Sequence, residues 1–231
     1  MLLLALDTAT PAVTAALHDG SSVVAESSSV DARRHGELLL PAVDRVLAEA
    51  GVTLDAVTAV VVGVGPGPYT GLRVGLVTAA TFGSVLGVPV YGLCSLDGIA
   101  YAAGTSGRFD GRFDGPFVVA TDARRKEVYW ARYASPRERV AGPSVDRPAD
   151  VAAEVAGLPA TGAGALLYPD AFADVPRDDA GGPPEHASAG ALAALAAAKL
   201  AAGEEFLPPQ PLYLRRPDAQ VPKNYKVVTP Q

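Results

Sequence analysis

The chain has 231 residues, 49% of them hydrophobic and 19% charged, which puts a buried core within reach and excludes wholesale disorder. A formal net charge of −6 excludes a chain whose whole surface grips nucleic acid, because phosphate affinity comes from clustered Lys and Arg; a local basic patch stays open. The single cysteine, Cys94, excludes an internal disulfide and fits a reducing cytoplasm.

The opening MLLLALDTAT has no basic leader, and no apolar run reaches the roughly 18 residues of a spanning helix, so a soluble, cytoplasmic protein without membrane contact is expected. Leu2–Leu6 reads as a buried strand, and Asp7-Thr8-Ala9-Thr10-Pro11 turns the corner into a second strand, Ala12–Leu17. His18-Asp19-Gly20 is a hairpin signal, and Val23–Ser28 is the returning strand. Residues 34–50, with Pro41 as a kink or an early turn, read as a helix. Its apolar residues Leu38, Leu39, Ala42, Val43, Val46, Leu47 and Ala50 cover about 180°, where one sheet needs only about 100°. The extra arc predicts a partner. Val57–Val64 reads as a strand buried on both faces, followed by the glycine loop GVGPGPYTG and a helix over 70–86.

That helix carries Gly71, Gly75, Ala79, Gly83 and Gly87, one small residue every four positions. Each helical glycine costs up to about 1 kcal/mol relative to alanine, so the row predicts close backbone approach, either by the chain's own sheet or by a partner helix. Val88–Leu93 is a further strand. Residues 104–116, with a tandem Gly-Arg-Phe-Asp, read as an exposed loop between two lobes, 1–103 and 116–231. Phe117–Thr121 and Glu127–Tyr133 read as paired strands about Asp122-Ala123-Arg124-Arg125. Residues 143–186 hold short apolar runs, 187–202 an alanine-rich helix, and a proline-punctuated tail, taken to pack back on the body, follows Glu204. The pattern is that of an α/β protein with mixed sheets.

Candidate chemistry is sparse. His18, His35 and His186 are scattered, so no metal site is expected. No Gly-x-Ser-x-Gly elbow accompanies the serines, and Cys94 follows an apolar strand like a small buried hydrophobe. The glycine loop ends in Gly71-Leu72-Arg73 and lacks the lysine and hydroxyl of a Walker loop. Asp7, Thr8 and Thr10 could face a nucleotide's phosphates, or they could simply stabilise the turn.

LALDTAT, HGELLLP, GVGPGPYTGLRVG, DARRKEVYWARY and PLYLR, in that order over nearly the whole chain, resemble the bacterial TsaB family, also called YeaZ. The resemblance implies the two-lobed fold of actin, sugar kinases and the Hsp70 ATPase. It also implies a non-catalytic scaffold and activator subunit of the machinery that makes threonylcarbamoyladenosine in tRNA. The partners it implies are a TsaD-like catalytic paralogue and a TsaE-like ATPase, with tRNA met only through the complex and a homodimer as an alternative pairing. TsaD carries a His-x-x-x-His metal site, at whose positions this chain has Ser95 and Ile99. An expected partner seam joins His35, Leu38, Leu39, Val43, Val46 and Leu47 to Gly71, Gly75, Ala79 and Gly83. Weak ATP or ADP binding, if it occurs, is expected at Asp7, Thr8, Thr10, Gly162 and Gly164. An ATP-using enzyme of the same fold stays open as an alternative, and a metallopeptidase is disfavoured.

Overall fold

The computed structural model describes residues 1–176 and 182–215. The first sheet contains β1 (Leu3–Asp7), β2 (Ala12–His18), β3 (Val23–Val30), β4 (Ala59–Gly63) and β5 (Val90–Leu93), in the order β3-β2-β1-β4-β5. β1 pairs antiparallel with β2 and parallel with β4, so the sheet is mixed. The second sheet contains β6 (Phe117–Asp122), β7 (Val128–Ser135), β8 (Glu138–Asp146) and β9 (Ala160–Thr161), in the order β8-β7-β6-β9. Each sheet is therefore a three-stranded meander whose first strand takes a parallel neighbour on its other side. The two lobes repeat one plan.

Period-two alternation explains the buried strands. Leu4, Leu6, Val60 and Val62 join one apolar cluster; Leu3, Ala5 and Val61 join another on the opposite face. The first cluster is covered by α1 (His35–Ala50) and α2 (Tyr69–Leu86). The second is covered by α6 (Ala189–Ala202), which the sequence reading places in the second lobe. Beyond α6 the chain returns along the free edge of β5, where the Leu207 and Gly92 amides each donate to the other's carbonyl. Among the described residues, no helix is long and apolar enough to cross a membrane.

The apolar arc of α1 is not surplus. Leu39, Val43, Val46 and Leu47 are buried, at 8% exposure or less, in one cluster with the first sheet and with Leu72, Leu76 and Ala79 of α2. The arc is wide because it meets a sheet and a helix at once. These side chains cannot serve a partner without leaving their own core, which corrects the expectation for this part of the seam. Leu38 and Ala50 of the arc, and His35 beside it, are half-buried.

α3 (Ser95–Thr105) packs on α6 and on one face of the second sheet, and α4 (Pro148–Val155) and α5 (Ala163–Leu167) pack on the other face of that sheet. The sequence reading assigns neither α3 nor α4. Gly98 weakens the helical pattern of α3, and it is there because a Cβ would come within 2.8 Å of Leu192 on α6. β8 is also unassigned; it is an edge strand interrupted by Gly142-Pro143, with irregular register against β7. The tandem Gly-Arg-Phe-Asp segment is exposed only in its polar residues. Phe109 and Phe113 are buried and stand edge-on in a ladder with Phe117, which stacks on Tyr133 at 5.2 Å.

Candidate functional site

The two repeated meanders bring their first corners to one cleft between the lobes, of about 460 Å³, with Thr10, His35 and Thr70 on one wall and Asp122, Arg124 and His186 on the other. The corners are built in opposite ways.

In the first corner, Asp7 is fully buried and does not line the cleft. Its carboxylate accepts from the Ala9 amide at 2.8 Å and from the Ser95 hydroxyl at 2.5 Å. A Cβ at Gly63 would lie 1.8 Å from that carboxylate, so the glycine makes its pocket. Burial pushes the Asp7 pKa up to about 6 against the pull of these hydrogen bonds. Thr8 is inserted into α2: its hydroxyl accepts from the Gly75 amide at 2.9 Å and donates to the Gly71 carbonyl at 2.8 Å, two groups that would otherwise bond each other. Its close approach accounts for the glycines. A Cβ at Gly67 would stand 2.1 Å from the Ala9 carbonyl oxygen, one at Gly71 2.8 Å from that of Thr8, and one at Gly75 2.6 Å from the Thr8 hydroxyl. Further along, Gly83 makes room for Val90 of β5, and Ala79 is fully buried. The small-residue stripe therefore faces the chain's own sheet and corner. His35 bonds the Thr10 carbonyl through Nε2 at 2.8 Å.

In the second corner, between β6 and β7, the backbone makes a tight turn: the Ala123 amide donates to the Glu127 carbonyl and the Glu127 amide to the Arg124 carbonyl, each at 3.0 Å. Arg124, Arg125 and Lys126 all have left-handed backbone, with φ of 62°, 56° and 62°. That conformation costs a residue with a Cβ roughly 1–2 kcal/mol. The turn is held by the Arg124 amide on Asp122 at 2.8 Å and by Arg215, which bonds Glu127 and the Arg124 carbonyl. Gly162 and Gly164 let α5 approach this strand end, because a Cβ on either would press into the backbone of Ala120 or Thr121.

Of the nucleotide candidates, Thr10 lies on the cleft wall, whereas Asp7 and Thr8 are held inside the fold and the two glycines serve packing. These residues do not fit a metal-bound nucleotide: the carboxylate is fixed on Ser95, and the hydroxyl already donates and accepts within α2. Among the described residues no three His, Cys, Asp or Glu side chains converge on a metal position. Ser95 and Ile99 are fully buried, and burial pushes the Cys94 thiol up to about 12. The sequence reading missed Ser95 as the partner of Asp7. Nothing local signals a pairing across 88 positions, although the carboxylate and hydroxyl each follow an apolar strand.

A family model described as TsaD, tRNA N6-adenosine threonylcarbamoyltransferase, matches residues 23–168. The solved structure of YeaZ from Pseudomonas aeruginosa superposes with a TM-score of 0.73 at 30% identity, covering 92% of this chain and 99% of that one. This chain belongs to the TsaB (YeaZ) family. TsaB of Escherichia coli is 35% identical over 133 residues, 58% of this chain and 55% of its own length. An uncharacterized protein of Mycobacterium tuberculosis is 46% identical over 224 residues, 94% of this chain and 93% of its own. The YeaZ likeness extends through both lobes and carries the two-lobed fold of the TsaB family with it.

Proposed function

We propose that this chain takes part in tRNA threonylcarbamoyladenosine biosynthesis as a non-catalytic scaffold and activator subunit, working in the cytoplasm beside a TsaD-like paralogue and a TsaE-like ATPase. The TsaB names of its relatives support the pathway. The state of the first corner supports the absence of chemistry, because Asp7 and Thr8 are bound within the fold and Ile99 has no atom to offer a metal.

One observation carries the scaffold role. α2 has a single charged residue, Arg73, in eighteen, yet it exposes Val77 at 65% and Val85 at 75%. α1, packed beside it, exposes Leu40 at 52%. A solvent-facing helix normally carries charge there, and depletion of charge marks the centre of an interface. The partner face is thus the outer side of the two helices, opposite to the buried stripe.

The test is Val77→Arg together with Val85→Glu, scored by association with the TsaD-like paralogue and by melting of the lone chain. Affinity should fall at least tenfold while melting moves by no more than about 2 °C, because surface changes of this kind are usually nearly neutral for stability. Undiminished association would remove the scaffold role from these helices. A change confined to self-association would mark the face as a homodimer seam.

A further inference from the structure

We propose that the β6–β7 turn, Arg124-Arg125-Lys126, is a contact for the phosphate backbone of RNA. The inference rests on the proposed function, which brings a tRNA to the complex, and it says which part of an acidic chain meets that tRNA.

The first observation is backbone conformation. Among the described residues, ten glycines have positive φ, and only four other residues do: Asp110 and these three. Wherever else the chain turns left-handed it uses glycine almost without exception. Here it keeps three long cationic side chains in succession, in a conformation each would avoid. Packing does not explain them, because all three are exposed. What the side chains present is the remaining reason to keep them.

The second observation is charge. In a chain of net charge −6, three consecutive cations stand together, and Arg215 adds a fourth beside them. Carboxylates offset part of this charge: Arg124 lies 3.3 Å from Asp122, and Arg215 pairs with Glu127. Lys126 makes no ion pair or hydrogen bond among the described residues. The Arg124 side chain is 61% exposed despite its pair. The turn is rigid, because the Asp122 carboxylate, the Glu127 amide and Arg215 each bond its backbone. A fixed, exposed row of Arg, Arg and Lys suits successive phosphates of a polynucleotide: it adds affinity and orientation without reading sequence. A free nucleotide offers fewer phosphates and would need the cleft wall, where only Arg124 of the three is placed.

The test assembles the full chain with its TsaD-like paralogue and titrates a labelled, unmodified tRNA transcript over a range of salt. The variant carries Arg124→Gly, Arg125→Gly and Lys126→Gly together. Glycine favours this backbone, so the fold is retained, and melting verifies that. Affinity for tRNA should fall about tenfold near 0.1 M salt, and the slope of log affinity against log salt should drop by about two. Association with the paralogue, and binding of ATP to the complex, should not change. An unchanged tRNA affinity and salt slope would overturn the proposal. So would a loss confined to ATP, which would make the turn a nucleotide element. A parent chain that neither joins the paralogue nor raises its affinity for tRNA would defeat the proposed function itself, whereas parent and variant working alike defeats only the turn.

Discussion

The first corner, Asp7–Thr10, and the second, Asp122–Glu127, occupy equivalent places in two copies of one meander, yet one is absorbed by the fold and the other is held out to solvent. In the first, the Asp7 carboxylate and the Thr8 hydroxyl have partners inside the fold, and the neighbouring glycines leave the room for them. In the second, carboxylates and Arg215 brace the backbone while the basic side chains stay exposed. Residues of similar chemistry become architecture or surface according to how close the next helix comes. α2 lies against the first corner; α5, only five residues long, approaches the strand end behind the second.

The contrast can be broken most forcefully at Gly67. Gly67→Ala places a methyl 2.1 Å from the Ala9 carbonyl oxygen, a backbone atom that cannot rotate away. A loss of at least about 3 kcal/mol is expected. At about 2–4 °C per kcal/mol for a chain this size, melting should fall by roughly 10 °C. A drop under about 2 °C would show that the corner is loosely held.

Asp7 tests the same corner through pH. Its folded pKa, about 6, lies above the ordinary 3.8, so the folded chain binds the extra proton between those values. The stability this contributes is fully present below about pH 4 and is lost as pH rises through about 6, some 3 kcal/mol in order of magnitude. Urea unfolding at pH 4.5 and 7 should show Asp7→Asn with a flatter profile than the parent. Parallel profiles would mean that the carboxylate is not held as described.

Thr8→Val keeps the shape and removes the hydroxyl inserted between Gly71 and Gly75. Leaving that amide and carbonyl short of partners should cost about 1–2 kcal/mol. Denaturant midpoints measure it, and an unchanged midpoint would show α2 closing its own ladder. In the second corner the sign reverses. Arg125→Gly relieves a left-handed residue and should stabilise by up to about 1 kcal/mol, so melting should rise by a few degrees. A fall would show that the Arg125 side chain contributes more to the fold than its backbone conformation costs.

Much of this molecule is legible in its sequence because local pattern and tertiary environment agree. The apolar runs of β1, β2 and β4, the periodicity of α1 and α2, and the left-handed glycines that end these helices at Gly51 and Gly87 all point the same way. Disagreement comes where a residue answers to something distant in the chain. Phe109, Phe113 and Phe117 recur every four residues, a signal hidden by glycines and charges that make the segment look like an exposed loop. β8 is masked by its own Gly-Pro step.

By itself, the sequence determines that α2 is approached closely by another backbone and that α1 has more apolar arc than one sheet needs, since both follow from helical spacing and side-chain volume. What approaches and what covers them is decided only in three dimensions. The approaching groups are Thr8 and Val90, and the covering one is α2 itself. A periodicity records that a face is buried or tight and carries no label for the element on the other side. Of two partners with equal apolar surface, the one already tethered in the same chain meets that face at lower entropic cost.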